Sequence, residues 1–427
     1  MKRYERYREI SLPWLHSIPD HWNIMRNKNF LFEVKDEVGD NYNQYDLLSL
    51  TKQGVILRDM EEGKGKFPKD FKNYVKVSPG NLIFCLFDID ETPRTVGLSS
   101  YKGMITGAYT VFNVKNIGPR YLLYYYLSLD DSKSLKPYYS GLRKTIRADR
   151  FLSINMPLPP QSEQEQIVRF LDGRLALIDK YVKEKEREVE LLKELKNAEI
   201  NRTVTKGLNP DAEMKDSRVE WIGNTPKHWN DLSLSQCVFE QCISNKDVHH
   251  QNLLSLSYGQ IVRKDINKTD GLLPSSFDTY QVVNKGNIVL RLTDLQNDKK
   301  SLRTGIANET GIVTSAYLTL NCYEHINPEY LHYILHCYDL RKVFYGLGGG
   351  LRQNCTFREI RKLVIYRPPL SEQHAIVAYI QQMEERINKA IASIEREIGL
   401  VKEYKTRLVS DVVTGKVDVR DINVPKE

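Results

Sequence analysis

Cysteine is scarce and unpatterned. Six occur in 427 residues (Cys85, Cys237, Cys242, Cys322, Cys337, Cys355), with no paired spacing and only Cys85 in the first half. Free thiols of a reducing compartment are the simplest reading, so a cytoplasmic location is expected. Long apolar runs are missing too: no window of about 18 apolar residues exists to span a membrane. The opening segment MKRYERYREISLPW lacks the apolar stretch of a signal peptide. No glycine-rich phosphate cradle is present, since Gly63-Lys64-Gly65-Lys66 lacks the required spacing and reads as a solvated lysine loop. The Asn/Asp-Pro-Pro-aromatic motif of base amino-methyltransferases is also absent. Asn209-Pro210-Asp211 is a linker fragment, and Arg367-Pro368-Pro369 has the wrong first residue. Finally, proline disappears entirely from Ser162 to about Thr203 and from Ser371 to about Val409.

What is present is ordinary in amount but repeated in order. Hydrophobic residues make up 41% and charged residues 27%, enough for two or three ordinary cores. The net charge of +7 permits a polyanionic partner without demanding one. Trp14, Pro19, His21, Trp22 and Asn23 reappear as Trp221, Pro226, His228, Trp229 and Asn230. Leu47-Leu48-Ser49-Leu50 returns as Leu253-Leu254-Ser255-Leu256, and Pro159-Pro160-Gln161-Ser162-Glu163-Gln164 as Pro368-Pro369-Leu370-Ser371-Glu372-Gln373. The shift drifts only from 206 to 209 residues, far longer than a solenoid unit. It marks a duplicated domain with its connector, and predicts pseudo-two-fold packing suited to a two-fold target such as duplex DNA.

Each half opens with short apolar runs after a glycine, such as Asn81–Phe87 and Asn287–Leu292, and reads as mixed α+β. In the proline-free segments the spacing turns helical. Leu171, Leu175, Ile178, Val182, Val189 and Leu192 step by threes, fours and sevens, as do Ile376, Ile380, Met383, Ile387, Ile394, Ile398, Val401 and Leu408. Ser162 and Ser371 are expected as caps, and Gly207 and Gly415 as stops. Helices of roughly 40 residues would run about 60 Å and are expected to pair antiparallel. The reading is a first domain at 1–160, a long helix at 161–206, linker and second domain at 207–369, and a second long helix with tail at 370–427. Phe170, Leu177, Leu191, Leu195, Ile391 and Leu400 fall off the seam; they are candidate docking positions for partners, or they widen the helix–helix core.

Candidate chemistry is mostly eliminated by the repeat. Asp20, Glu33 and Lys35 mimic a metal-dependent nuclease motif, but their counterparts in the second half include Lys227 and Cys242. His332 and His336 are four apart on a helical stretch, yet Leu123 and Leu127 stand at the matching positions. What remains is binding chemistry. Gly141-Leu142-Arg143-Lys144-Thr145-Ile146-Arg147 and Gly348-Gly349-Gly350-Leu351-Arg352-Gln353-Asn354 set arginines and amides beside glycines. Glycine lets a partner approach the backbone, arginine reads guanine, and glutamine or asparagine reads adenine. The candidate DNA contacts are therefore Arg143, Lys144, Arg147, Arg352, Gln353 and Asn354. Arg58, Arg94, Arg263, Arg291 and Arg303 join them from polar segments between apolar runs.

With these segments in hand, the chain resembles a type I restriction–modification specificity (S) subunit along essentially its whole length. One marker is Pro157-Leu158-Pro159-Pro160-Gln161-Ser162-Glu163-Gln164-Glu165-Gln166-Ile167-Val168, with its second copy from Pro368 to Val377. The other runs from Lys215 to Trp229, with a looser first copy from Ser11 to Trp22. The resemblance implies two target-recognition domains, each reading half of a split double-stranded DNA site, separated by two conserved helices. It implies two methyltransferase (modification) subunits and restriction/translocase subunits as partners. S-adenosylmethionine, ATP and Mg²⁺ would then be held by those partners and not by this chain, which would be no enzyme alone. It fixes no base-reading residues. A self-sufficient Mg²⁺-dependent nuclease and a coiled-coil scaffold without a DNA role are the competing readings.

Overall fold

The computed structural model describes residues 2–58, 71–246, 250–265, 276–295, 302–347 and 354–423. It divides into two compact units, residues 1–186 with 396–427 and residues 187–395. Each is an α+β domain with the same plan, so the fold class read from the repeat holds.

In unit 1 the central sheet has four antiparallel strands in the order Leu31–Val34, Thr110–Val114, Leu82–Phe84, Val96–Leu98. Both of its faces are covered, which is why the run around Leu82 is apolar without alternation. Leu82, Phe84 and Phe112 face the helix Pro119–Asp131, where Phe84, Phe112, Tyr126 and Phe151 pack edge to face or tilted with ring centroids 4.8–5.8 Å apart. Ile83 and Val111 face a smaller cluster with Leu48, Val55, Val77 and Ile105. Unit 2 repeats the order with Val238–Glu240, Leu318–Cys322, Ile288–Leu290 and Thr304–Ile306. Its core helix is Pro328–Leu340.

The long helices run Gln161–Lys206 and Leu370–Val413. Both units take a piece of each. In unit 1 Asp179 pairs with Lys405, and Glu186 with Lys402 at 2.8 Å. In unit 2 Glu199 accepts from Tyr379 at 2.8 Å and Lys196 donates to Asn388 at 3.2 Å. Numbers rise on one helix as they fall on the other, so the pairing is antiparallel. The seam positions Leu171, Val182, Val189, Ile376, Ile380 and Leu408 are buried. At two of these positions the buried reading holds and docking is corrected: Phe170 is fully buried in the unit 1 core and Ile391 is buried. A leucine or phenylalanine one step beside an a/d stripe is covered wherever the helix also packs on a domain. Leu177, Leu191, Leu195 and Leu400 are exposed as expected.

Helix starts also differ from expectation. Ser162 and Ser371 lie inside the first turn, because Pro160 and Pro369 already accept the first helical N–H bonds. The stops hold. Gly207 and Gly415 sit in the left-handed region at φ +72° and +75°, as C-terminal glycines do. A side chain on Gly207 would come within 3.1 Å of Glu372, and one on Gly415 within 2.4 Å of Pro19. Glycine is required there by contact as well as by φ.

Candidate nucleic-acid interface

Within each unit the two repeated markers meet each other. In unit 1 the Trp22 indole donates to Glu163 at 3.0 Å, the His21 ring lies 2.8 Å from the same carboxylate, and the Tyr4 hydroxyl also donates to it. In unit 2 the Trp229 indole donates to Glu372 at 3.1 Å and the His228 ring lies 2.8 Å away. The neighbouring Gln164 and Gln373 amides donate to the Pro159 and Pro368 carbonyls at 2.9 and 3.0 Å. These motifs tie a long helix to its domain. The tryptophans Trp22 and Trp229 are buried, while His21 and His228 stay at the surface with their rings committed to Glu163 and Glu372. Two motifs that recur as a pair were the available signal for this contact.

The arginine loops lie elsewhere, anchored alike in both units. Ile146 N–H donates to the Leu86 carbonyl at 2.8 Å, and Cys355 N–H to Leu292 at 2.9 Å. Asp88 and Asp294, both left-handed at φ 46° and 55°, receive the loops. Asp88 N–H donates to the Arg143 carbonyl at 2.8 Å, and Asp294 N–H to the Asn354 side-chain oxygen at 2.9 Å. One framework carries two different loop contents.

In unit 1 the loop is a tight turn. Ser140 and Thr145 exchange both backbone hydrogen bonds at 3.0 Å, and Lys144 N–H closes on Gly141 at 3.1 Å. The Arg143 guanidinium pairs with Asp88 at 2.8 Å and lies 5.2 Å over the Phe87 ring, which in turn stacks on Tyr109. Its hydrogen bond to Asp88 raises its already high pKa. Lys144 pairs with Asp90 at 3.1 Å, joined by Lys136 at 3.7 Å. The Lys144 hydrogen bond holds the Asp90 carboxyl below the usual carboxylate range. Arg143, Lys144 and Arg147 are therefore exposed, charged and pre-positioned, with carboxylates that an incoming phosphate would have to displace. Arg147 pairs with its neighbour Asp149 at 3.2 Å.

The other candidates scatter. Arg94 reaches Asp130 and Asp131 at 3.2 and 3.0 Å at the end of the core helix. Arg58 is half-buried and its N–H extends the hairpin to Leu47. Arg263 grips Glu309 with both nitrogens, which raises its pKa and lowers that of Glu309. Arg291 is half-buried. Arg303 is the correction. It has no exposed surface; its guanidinium donates to the Thr293 carbonyl at 2.9 Å and lies 5.7 Å over Tyr345. A side chain spent on a domain's own carbonyls has no face for DNA. Arg352 and Gln353, like Gly63–Lys66, lie outside the described residues. Asn354 is exposed, with its oxygen committed to Asp294.

Sequence reasoning overlooked two tips. Leu142 is 104% exposed and Tyr258, on the hairpin Leu254–Arg263 at φ 47°, is 85% exposed. The nuclease-like set is unremarkable in place: Lys35 pairs with Glu33 at 3.4 Å and Asp20 sits exposed on a turn. Among the described residues no cluster of three histidine, cysteine or acidic groups could hold a metal. No helix among them is long and apolar enough to cross a membrane.

A duplicated α+β framework with the same strand order in both copies and different loop residues defines a class of tandem-domain proteins. Residues 34–191 and 306–396, more than half the chain, match the type I restriction modification DNA specificity domain, and the chain belongs to that family. It is 22% identical over 445 residues to the type I restriction enzyme MjaVIII specificity subunit of Methanocaldococcus jannaschii, covering 98% of both chains. Two solved structures share its fold at 14% identity. One, from work on complex assembly and conformational transition of the type I R-M system, has a TM-score of 0.66 and covers 94% of this chain and 99% of that one. The other, the HsdS subunit of Thermoanaerobacter tengcongensis, has a TM-score of 0.50 and covers 94% and 98%.

Proposed function

We propose that this chain is the sequence-reading, non-catalytic subunit of a cytoplasmic type I restriction–modification complex. Each unit reads one half of a bipartite duplex site. Two modification subunits dock on the chain and carry out adenine methylation with S-adenosylmethionine. Restriction subunits supply the ATP- and Mg²⁺-dependent cleavage. The observation that carries this reading is the pair of loops anchored by one equivalent backbone bond, Ile146 to Leu86 and Cys355 to Leu292, but filled differently, so that Asp88 receives the Arg143 carbonyl and Asp294 the Asn354 side chain. A constant frame with a variable edge is what two half-sites of different sequence require. Phosphate contacts position such a domain while base contacts specify the site. The modest charge of +7 leaves the remainder of the DNA clamp to the partners.

The test is domain exchange. Residues 1–160 are replaced by the corresponding domain of another family member, keeping Trp22 and its neighbours so that Glu163 stays satisfied. Sequencing of methylated host DNA is expected to show one half-site changed and the other retained. A change in both halves would refute modular reading.

A further inference from the structure

Leu142 stands clear of the protein, 104% exposed, at the tip of the turn between Gly141 and Lys144. One exposed leucine on a plain surface means little. This one is held on a rigid mount. Gly141 and Lys144 both occupy the left-handed region, at φ 71° and 44°, and a lysine adopts it only when its surroundings impose it. Arg143 is fixed through its carbonyl and its guanidinium, both to Asp88, and the Lys144 ammonium is fixed to Asp90. An apolar side chain is thus presented beside cations, at the point where a polyanion drawn to Arg143, Lys144 and Lys136 would arrive.

Phosphates and sugars offer Leu142 nothing. Of the groups on the major-groove edge of a base pair, the thymine 5-methyl is the apolar one. The alternative is a wedge between base pairs, which costs unstacking and is repaid by broad apolar contact. Leu142 is flanked by Gly141 and Arg143 and brings no second apolar side chain, so contact without unstacking is favoured. Resting on the DNA-reading role above, we propose that Leu142 reads a thymine methyl in the half-site bound by unit 1.

The experiment uses the full chain assembled with its modification subunits, at low ionic strength. A randomised duplex library is enriched on it, and each thymine of the selected site is replaced in turn by uracil, which lacks only the methyl. Uracil at one position of one half-site is expected to weaken binding about fourfold, the loss of one buried methyl. Leu142→Ala is expected to bind more weakly and to treat thymine and uracil alike at that position. Because Leu142 touches nothing in the protein, this variant keeps its fold. Indifference of the unaltered chain to uracil everywhere, or an unchanged thymine preference in Leu142→Ala, overturns the assignment. So does bright 2-aminopurine fluorescence at the contacted step, which would reveal a wedge. If no sequence is enriched at all, the DNA-reading role of this chain fails and the methyl contact falls with it.

Discussion

Glu163 and Glu372 each turn one carboxylate toward a tryptophan and a histidine of their own domain, and Glu163 takes the Tyr4 hydroxyl as well. Burial, and then the hydrogen bond to Glu163, keep the Tyr4 phenol protonated throughout the accessible pH range. Removing such an acceptor leaves buried donors unpaired, which costs more than the net value of the bonds. Glu163→Ala is expected to destabilise unit 1 by about 3 kcal/mol, and Glu372→Ala to destabilise unit 2 by about half of that, given its fewer and more exposed partners. Urea unfolding of the full chain checks both; a cost under about 1 kcal/mol for Glu163→Ala would show that water replaces the carboxylate. The sequence displayed these residues as repeated words without saying that the words touch. Arg303 carries the opposite lesson. Its residue type suggested DNA, but whether an arginine faces solvent or the domain's own carbonyls is decided by the backbone path of a loop, which no local pattern encodes.

At the scale of the element, the two core helices differ where they should match. Leu123 and Leu127 of unit 1 pack on its core, whereas unit 2 has His332 and His336 there. Burial pushes both rings down to about 4, with a smaller effect from His336 on His332 and from Lys196 on His336. The unfolded chain protonates them near 6.5, so their contribution to stability is complete above that pH and is lost as pH falls toward 4. Asp339 opposes this in part. Burial raises it to about 6, so its cost at neutral pH is relieved on acidification. Two histidines outweigh one aspartate. Unit 2 is expected to lose thermal stability between pH 6.5 and 5, and His332→Leu with His336→Leu to flatten that slope; melting curves of an equally steep double variant would refute it. The long helices were legible almost throughout, because a 3.5-residue seam is local and needs no knowledge of the fold. Their exact starts and broader buried faces were not, since Pro160 and the domain cores set those. Leu195 and Leu400 remain exposed and off the seam. Changing both to Asp is expected to leave the isolated chain folded while its complex with modification subunits fails to form. Aggregation of the isolated variant would place them in the interior instead.

At the scale of the molecule, the duplication was visible because repeated words survive at a nearly constant shift, whereas the division into compact units was not. Unit 2 is one continuous run, residues 187–395, while unit 1 needs both 1–186 and 396–427. Leu408, Val409, Val412, Val413 and Val419 lie in the same core as Ile18, Trp22 and Phe170. A ribosome therefore delivers all of unit 2 before it delivers the last part of the unit 1 core. The domain that begins first closes last, the reverse of the usual order of folding during synthesis. At ~5–20 residues per second, the intervening stretch takes on the order of ten to forty seconds to emerge. Through that interval the nascent first domain carries an unfinished apolar surface, and chaperones that hold such surfaces have that long to act on it.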